Sequence, residues 1–245
     1  MFQDKKSSFE DDPYAFVALI TNGPESCNGY FLRPDLVYTN TFCCTGLGTD
    51  SGNPVYVRTE FETIAVKLSL NNKEKNFCIL KLEKSDFKPA LPCKTQNVES
   101  IPQLSDFGPN CFVGGWHWDD FTDDWALAKA PVQQVFSEDC SDGLQTHIEE
   151  HEICVIGVGF LPEADSTTCN LFTGMPLVCI TPRTNQLAFV GVASYPVGCA
   201  IPGQSIGIWE IATEDIIARA ENELMGMGSK SKRKIVFELR SYSVN

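Results

Sequence analysis

Cys169-Asn170-Leu171-Phe172-Thr173-Gly174-Met175-Pro176-Leu177-Val178-Cys179 is the stretch on which the fold reading turns. Two cysteines frame it, a Thr-Gly step sits at its centre, and an apolar Pro-Leu-Val run leads into the second cysteine. Outward from it, Val, Ile, Phe and Thr recur in short runs such as YAFVALI (14–20), DLVYTN (35–40), TIAVKLSL (63–70) and QLAFVGVAS (186–194). Clusters of Pro, Gly, Asn and Asp separate these runs, which is the pattern of an antiparallel all-β protein. Only the segment from about Thr213 to Leu224 has helical character. A chain of 245 residues buries a substantial core in one or two domains. It has no internal repeat, no low-complexity tract and no apolar run of about 18 residues, the length a membrane-spanning helix needs.

The quoted stretch resembles the nucleophile loop of chymotrypsin-like serine proteases, C-x-G-D-S-G-G-P-L-V-C. Further blocks follow the same family in order. SCNGYFLRPDLVYTNTFCCT (26–45) is similar to CGGSLI-x-x-x-WVLTAAHC, KNFCILKL (75–82) to NDIALLKL, and CFVGGWH (111–117) to C-x-x-x-GWG. VGVASYPVGCAIPG (190–203) resembles VGIVSWG-x-GCA…PG, and TEDIIARAENEL (213–224) the family's C-terminal helix. The resemblance implies two packed six-stranded antiparallel β-barrels and a C-terminal α-helix. It implies a protease-like domain over 13–225, with an N-terminal tail (1–12) and a basic C-terminal tail (226–245).

The same resemblance places Phe42 at the catalytic histidine position, Asn76 at the aspartate and Thr173 at the serine. A hydroxyl attacks a carbonyl only when a neighbouring base takes its proton and a carboxylate orients that base. Phe42 takes no proton, Asn76 carries no charge, and nothing in the sequence activates Thr173. Phe172 stands where an aspartate would pair with a freed N-terminal amine, and SSFEDDPYAFVALI (7–20) has no Ile-Val-Gly-Gly start. Leu171 replaces a glycine beside the oxyanion hole, whose donors must point at developing charge. A vestigial specificity pocket would be bounded by Thr167, Leu171, Phe172, Ser194, Tyr195 and Gly203, without the charge to recognise Lys or Arg. The expectation is a non-catalytic homologue, with no cofactor.

Eleven cysteines without a C-x-x-C pair point to disulfides and an oxidising, extracellular compartment. The resemblance implies Cys27–Cys43, Cys111–Cys179, Cys140–Cys154 and Cys169–Cys199. Cys44 and Cys78 follow the altered histidine and aspartate positions and are read either as a bridge or with Cys78 as a small buried residue. Cys93 has no evident partner and is a candidate for an intermolecular bridge. MFQDKKSSFEDD (1–12) shows no apolar leader, so the cysteines carry the expectation of secretion.

A net charge of -13 and a pI near 4.6 argue against nucleic-acid or acidic-membrane binding. His147-Ile148-Glu149-Glu150-His151 fits H-x-x-E-H, which on a helix places both imidazoles on one face for zinc. With no third ligand evident, an acidic surface loop is the reading preferred over a metal site. His117 is read as a surface loop residue. The start EDDPYAFVALI (10–20) also resembles arthropod serine protease homologues of the clip-domain, masquerade-like type. That resemblance implies an adaptor or regulator in an extracellular protease cascade such as innate immunity, with active proteases or their zymogens as partners. The alternatives are unconventional serine-type or zinc-dependent hydrolysis, and a disulfide-linked structural or reproductive-fluid protein.

Overall fold

The structure, a computed structural model, describes residues 16–23, 25–49, 54–59, 62–73, 76–84, 111–119, 122–144, 146–157, 173–180, 187–195, 205–213, 216–219, 221–224 and 226. Six strands close the first barrel: β1 (Val17–Asn22), β2 (Glu25–Arg33), β3 (Leu36–Asn40), β4 (Tyr56–Arg58), β5 (Thr63–Asn72) and β6 (Phe77–Leu82). Six more close the second: β7 (Cys111–Asp119), β8 (Asp124–Gln134), β9 (Glu152–Gly157), β10 (Pro176–Ile180), β11 (Leu187–Tyr195) and β12 (Ser205–Ile211). All pairings are antiparallel, and β1–β4 and β7–β10 close the two rings. Within each barrel the spatial order is first, second, third, sixth, fifth, fourth. This is a trypsin-like double barrel.

Side chains alternate between the faces of a strand, so a strand lying between two cores must be apolar on both. In β3, Val37 points into the first barrel while Leu36 and Tyr38 join a cluster shared with the second. β6 repeats this, with Cys78, Leu80 and Leu82 inward and Phe77 and Ile79 toward the shared cluster. In β10 and β11, Leu177, Cys179, Ala188 and Val190 fill the second barrel, whereas Val178, Phe189 and Val192 face the first. The ring of Phe189 stacks on Tyr30 at 3.8 Å and meets Tyr38 edge-on at 6.0 Å. That two-sided demand explains why these segments read as continuous apolar runs.

Among the described residues, helical pieces accompany the barrels at three places. Residues 216–219, 221–224 and 226 are helical where the sequence points to a helix. Thr213 caps that helix by accepting from Ile216 N at 3.3 Å, and Leu224 is buried in the shared cluster. Two short helices, α1 (Thr41–Gly46) and α2 (Ser137–Leu144), go beyond the sequence reading. Each has a local start signal. Asn40 caps α1, and Glu138 and Asp139 stand in the first turn of α2.

Disulfides join Cys27 to Cys43, Cys44 to Cys78, Cys111 to Cys179, and Cys140 to Cys154. Cys169–Cys199 and Cys93 lie outside the described residues. No helix among those described is long and apolar enough to cross a membrane.

Candidate functional site

The barrel junction is organised by two buried asparagines. Asn28 Oδ1 accepts from Trp116 N at 2.7 Å, and its Nδ2 donates to Trp116 O at 3.3 Å, tying β2 to β7. Asn28 N also donates to Thr173 O at 2.8 Å. Asn40 Oδ1 accepts from Cys43 N at 2.8 Å to begin α1. Its Nδ2 reaches across to donate to the carbonyls of Ala193 and Ser194 in β11. One side chain thus terminates a strand, caps a helix and docks the second barrel.

Phe42 enters on the first turn of α1, and the next two residues are both bonded, Cys43 to β2 and Cys44 to β6. Thr41 fastens the β5–β6 turn against it, donating from Oγ1 to Asn72 O at 3.0 Å and from N to Asn76 O at 3.4 Å. The turn is pinned from both sides, yet Phe42 remains 51% exposed. Thr173, by contrast, is buried. Gly174 follows with φ of 76°, and a Cβ there would lie 2.0 Å from Asn28 O. Only glycine fits that approach.

Phe42 and Thr173 share a cleft of about 310 Å³, whose wall includes the Cys27–Cys43 disulfide, Glu25 and Leu47. None of the histidines lines it. Glu25, the carboxylate of the cleft, is exposed and makes no hydrogen bond to the Thr173 hydroxyl among the described contacts. The arrangement offers shape and an aromatic face, with no imidazole to take a proton.

Asn76 turns elsewhere. Its φ of 47° is left-handed, a conformation asparagine tolerates, and its Nδ2 donates to Glu210 Oε2 at 3.0 Å. Glu210 is almost fully buried on β12, facing the first barrel while its neighbours Trp209 and Ile211 fill the second. Its other oxygen lies 3.2 Å from His151 Nε2. Burial pushes the Glu210 carboxyl up to about 8, with the Asn76 bond opposing and Glu152 adding repulsion. Glu152 is its register partner on β9. Tyr38 lies fully buried beside them, its hydroxyl without a hydrogen-bond partner among the described residues. Burial, reinforced by Glu210, raises the pKa of that phenol.

The sequence reading missed Glu210. The signal was a lone carboxylate in the apolar run Ile206-Gly207-Ile208-Trp209-Glu210-Ile211-Ala212, since an unpaired Glu is seldom fully buried.

The H-x-x-E-H segment lies on a surface loop, the reading preferred from the sequence. Residues 146–151 form a bend and turn rather than a helix, so His147 and His151 do not share a helical face. Both are exposed, and His151 is committed to Glu210. Among the described residues no group of three or more His, Cys, Asp and Glu is arranged to hold a metal. His117 differs from expectation: it lies half-buried within β7 rather than in a loop, because the hairpin pairing continues through His117↔Ala126.

Ser194 is buried, and its Oγ donates to Ile208 O at 3.2 Å. Tyr195 pairs with Ile208 at the end of β11. Thr167, Leu171, Phe172 and Gly203 lie outside the described residues. No protein family matches the chain, and no curated protein matches it.

Proposed function

We propose that this chain is a secreted, non-catalytic serine protease homologue that works by binding other proteins. Its place is as an adaptor or regulator in an extracellular protease cascade such as innate immunity, with active proteases or their zymogens as partners. The observation that supports this reading is the cleft shared by Phe42 and Thr173. An aromatic ring stands where triad chemistry needs a base, and it is half-exposed on a pinned helical turn. A concave, partly apolar site of about 310 Å³ has the dimensions of a small binding pocket. A rigid aromatic at its rim supplies contact area at little entropic cost. The disulfides support an oxidising compartment.

Fluorophosphonate labelling tests the non-catalytic part. The natural chain is expected to stay unlabelled at probe concentrations that saturate an active trypsin-like control. Labelling lost in Thr173→Ala would overturn the reading, and its loss in Glu25→Gln would identify the base.

A further inference from the structure

The cleft beside Thr173 has a charge pattern as well as a shape. Among its described lining residues, Glu25 alone carries a charge. Glu25 opens β2 opposite Asn22 and is exposed, and among the described ion pairs no cation engages it. Two residues on, Cys27 is bonded to Cys43, which holds this strand end against α1. Phe42 stands half-exposed on that helix, so its ring and the Glu25 carboxylate belong to one fixed cavity.

Charge and surface together select the occupant. An anion would meet Glu25 and a chain of net charge -13. A cation meets an unengaged carboxylate, with no competing Lys or Arg among the described lining residues. The face of an aromatic ring attracts a cation, and a guanidinium, planar and weakly hydrated, stacks on it readily. The same group can meet a carboxylate with two parallel hydrogen bonds. Its methylene stem is apolar and suits the wall formed by Leu47 and the Cys27–Cys43 disulfide. Ser194, named above for the specificity pocket, donates instead to Ile208 O and does not line this cleft.

We infer that this cleft receives an arginine side chain of a partner protein, with the guanidinium held between the Glu25 carboxylate and the Phe42 ring. The inference rests on the binding role proposed above for the cleft and gives that role a chemistry.

The test is a titration of the isotope-labelled full chain with N-acetylarginine methylamide, followed by backbone amide shifts. N-acetylcitrulline methylamide, an uncharged counterpart of the same shape, is titrated beside it. The arginine compound is expected to saturate shifts at Glu25, Gly46, Leu47 and Thr173, and the citrulline compound to bind more weakly by about threefold or more. Glu25→Gln and Phe42→Leu should each weaken the arginine compound about threefold to fivefold, the size of an exposed ion pair or a cation–π contact. Glu138→Gln removes the same charge from α2 and should leave the affinity unchanged. Thermal melting of each variant separates misfolding from lost contact. Equal binding of the two compounds, or saturating shifts elsewhere on the chain, would overturn the inference. So would indifference to Glu25→Gln or Phe42→Leu in a folded protein, or an equal loss in Glu138→Gln. The titration reads binding and fluorophosphonate labelling reads catalysis, so failure of this inference and failure of the non-catalytic reading are separate results.

Discussion

Replacing Glu210 with glutamine isolates the most unusual electrostatic feature of the junction. In the fold its carboxyl is pushed up to about 8 from an ordinary 4.5 because burial disfavours the charged form. Below pH 4.5 both the folded and unfolded chains hold the proton, and the group contributes no pH dependence. Between 4.5 and 8 the unfolded chain releases it while the folded chain keeps it. Each unit of rising pH therefore costs the fold up to about 1.4 kcal/mol, and the loss levels off once the folded carboxyl also ionises. Summed over the window, this is at most about 5 kcal/mol.

The amide introduced by Glu210→Gln keeps an oxygen that can accept from Asn76 Nδ2 but has no proton to lose. The assay is thermal unfolding of both proteins from pH 4.5 to 8.5 with the disulfides intact. Tyr38, Asn76, His151 and Glu152 face the site in both, so the difference between the two curves isolates residue 210. For a chain of this size, 1.4 kcal/mol corresponds to roughly 3–5 °C in Tm per pH unit. Natural chain and variant should be closest at pH 4.5, with the natural chain falling progressively behind. Parallel curves across the window would refute the argument, because an exposed or fully compensated carboxylate gives that result.

Three further outcomes follow from the same geometry. Removing the Cys44–Cys78 bridge with a double alanine substitution releases a loop with sequence separation 34, and the chain-entropy relation gives a loss of about 4 kcal/mol, measurable by guanidinium denaturation. Gly174→Ala places a Cβ 2.0 Å from Asn28 O at a left-handed φ, and should cost about 3 kcal/mol or abolish soluble expression. Asn28→Ala strands the buried Trp116 N–H, and a loss of about 3 kcal/mol in the same denaturation assay is expected.

The strands were legible because their apolar runs answer to two cores at once. YAFVALI, DLVYTN, TIAVKLSL and QLAFVGVAS all supply strands, since each carries side chains that the barrel interiors and the shared cluster require. The short helices were not, although Asn40 before Thr41 is an N-cap signal. One turn of helix lacks the periodicity that identifies a longer one, and its stability comes from Cys43 and Cys44 being bonded on either side. At the site, the resemblance to the protease family assigned roles to Phe42, Asn76 and Thr173. It did not indicate that Asn76 turns away from the cleft to a carboxyl far along the chain. That pairing depends on how β12 faces the first barrel, which no local pattern encodes. H-x-x-E-H has metal-binding meaning only on a helix, and residues 146–151 form none, in keeping with the surface-loop reading.

Asn40, Asn28, Asn76 and Glu210 show what the polar groups at this junction accomplish. A triad needs a charged carboxylate beside an imidazole, poised to move a proton. Here Asn40 caps a helix and clasps β11, Asn28 clasps β7, and Asn76 supports a carboxyl that burial keeps protonated up to about 8. Each neutral amide fixes the barrels through directed hydrogen bonds and avoids the desolvation cost of a buried ion. Replacing Phe42 alone with histidine would therefore place an imidazole beside the junction while Asn76, uncharged and engaged with Glu210, offers it no charged support. Phe42→His is expected to gain no fluorophosphonate labelling. Labelling at Thr173 in that variant would show that the junction still carries an ionised partner, and the structural account of Asn76 and Glu210 would have to be abandoned.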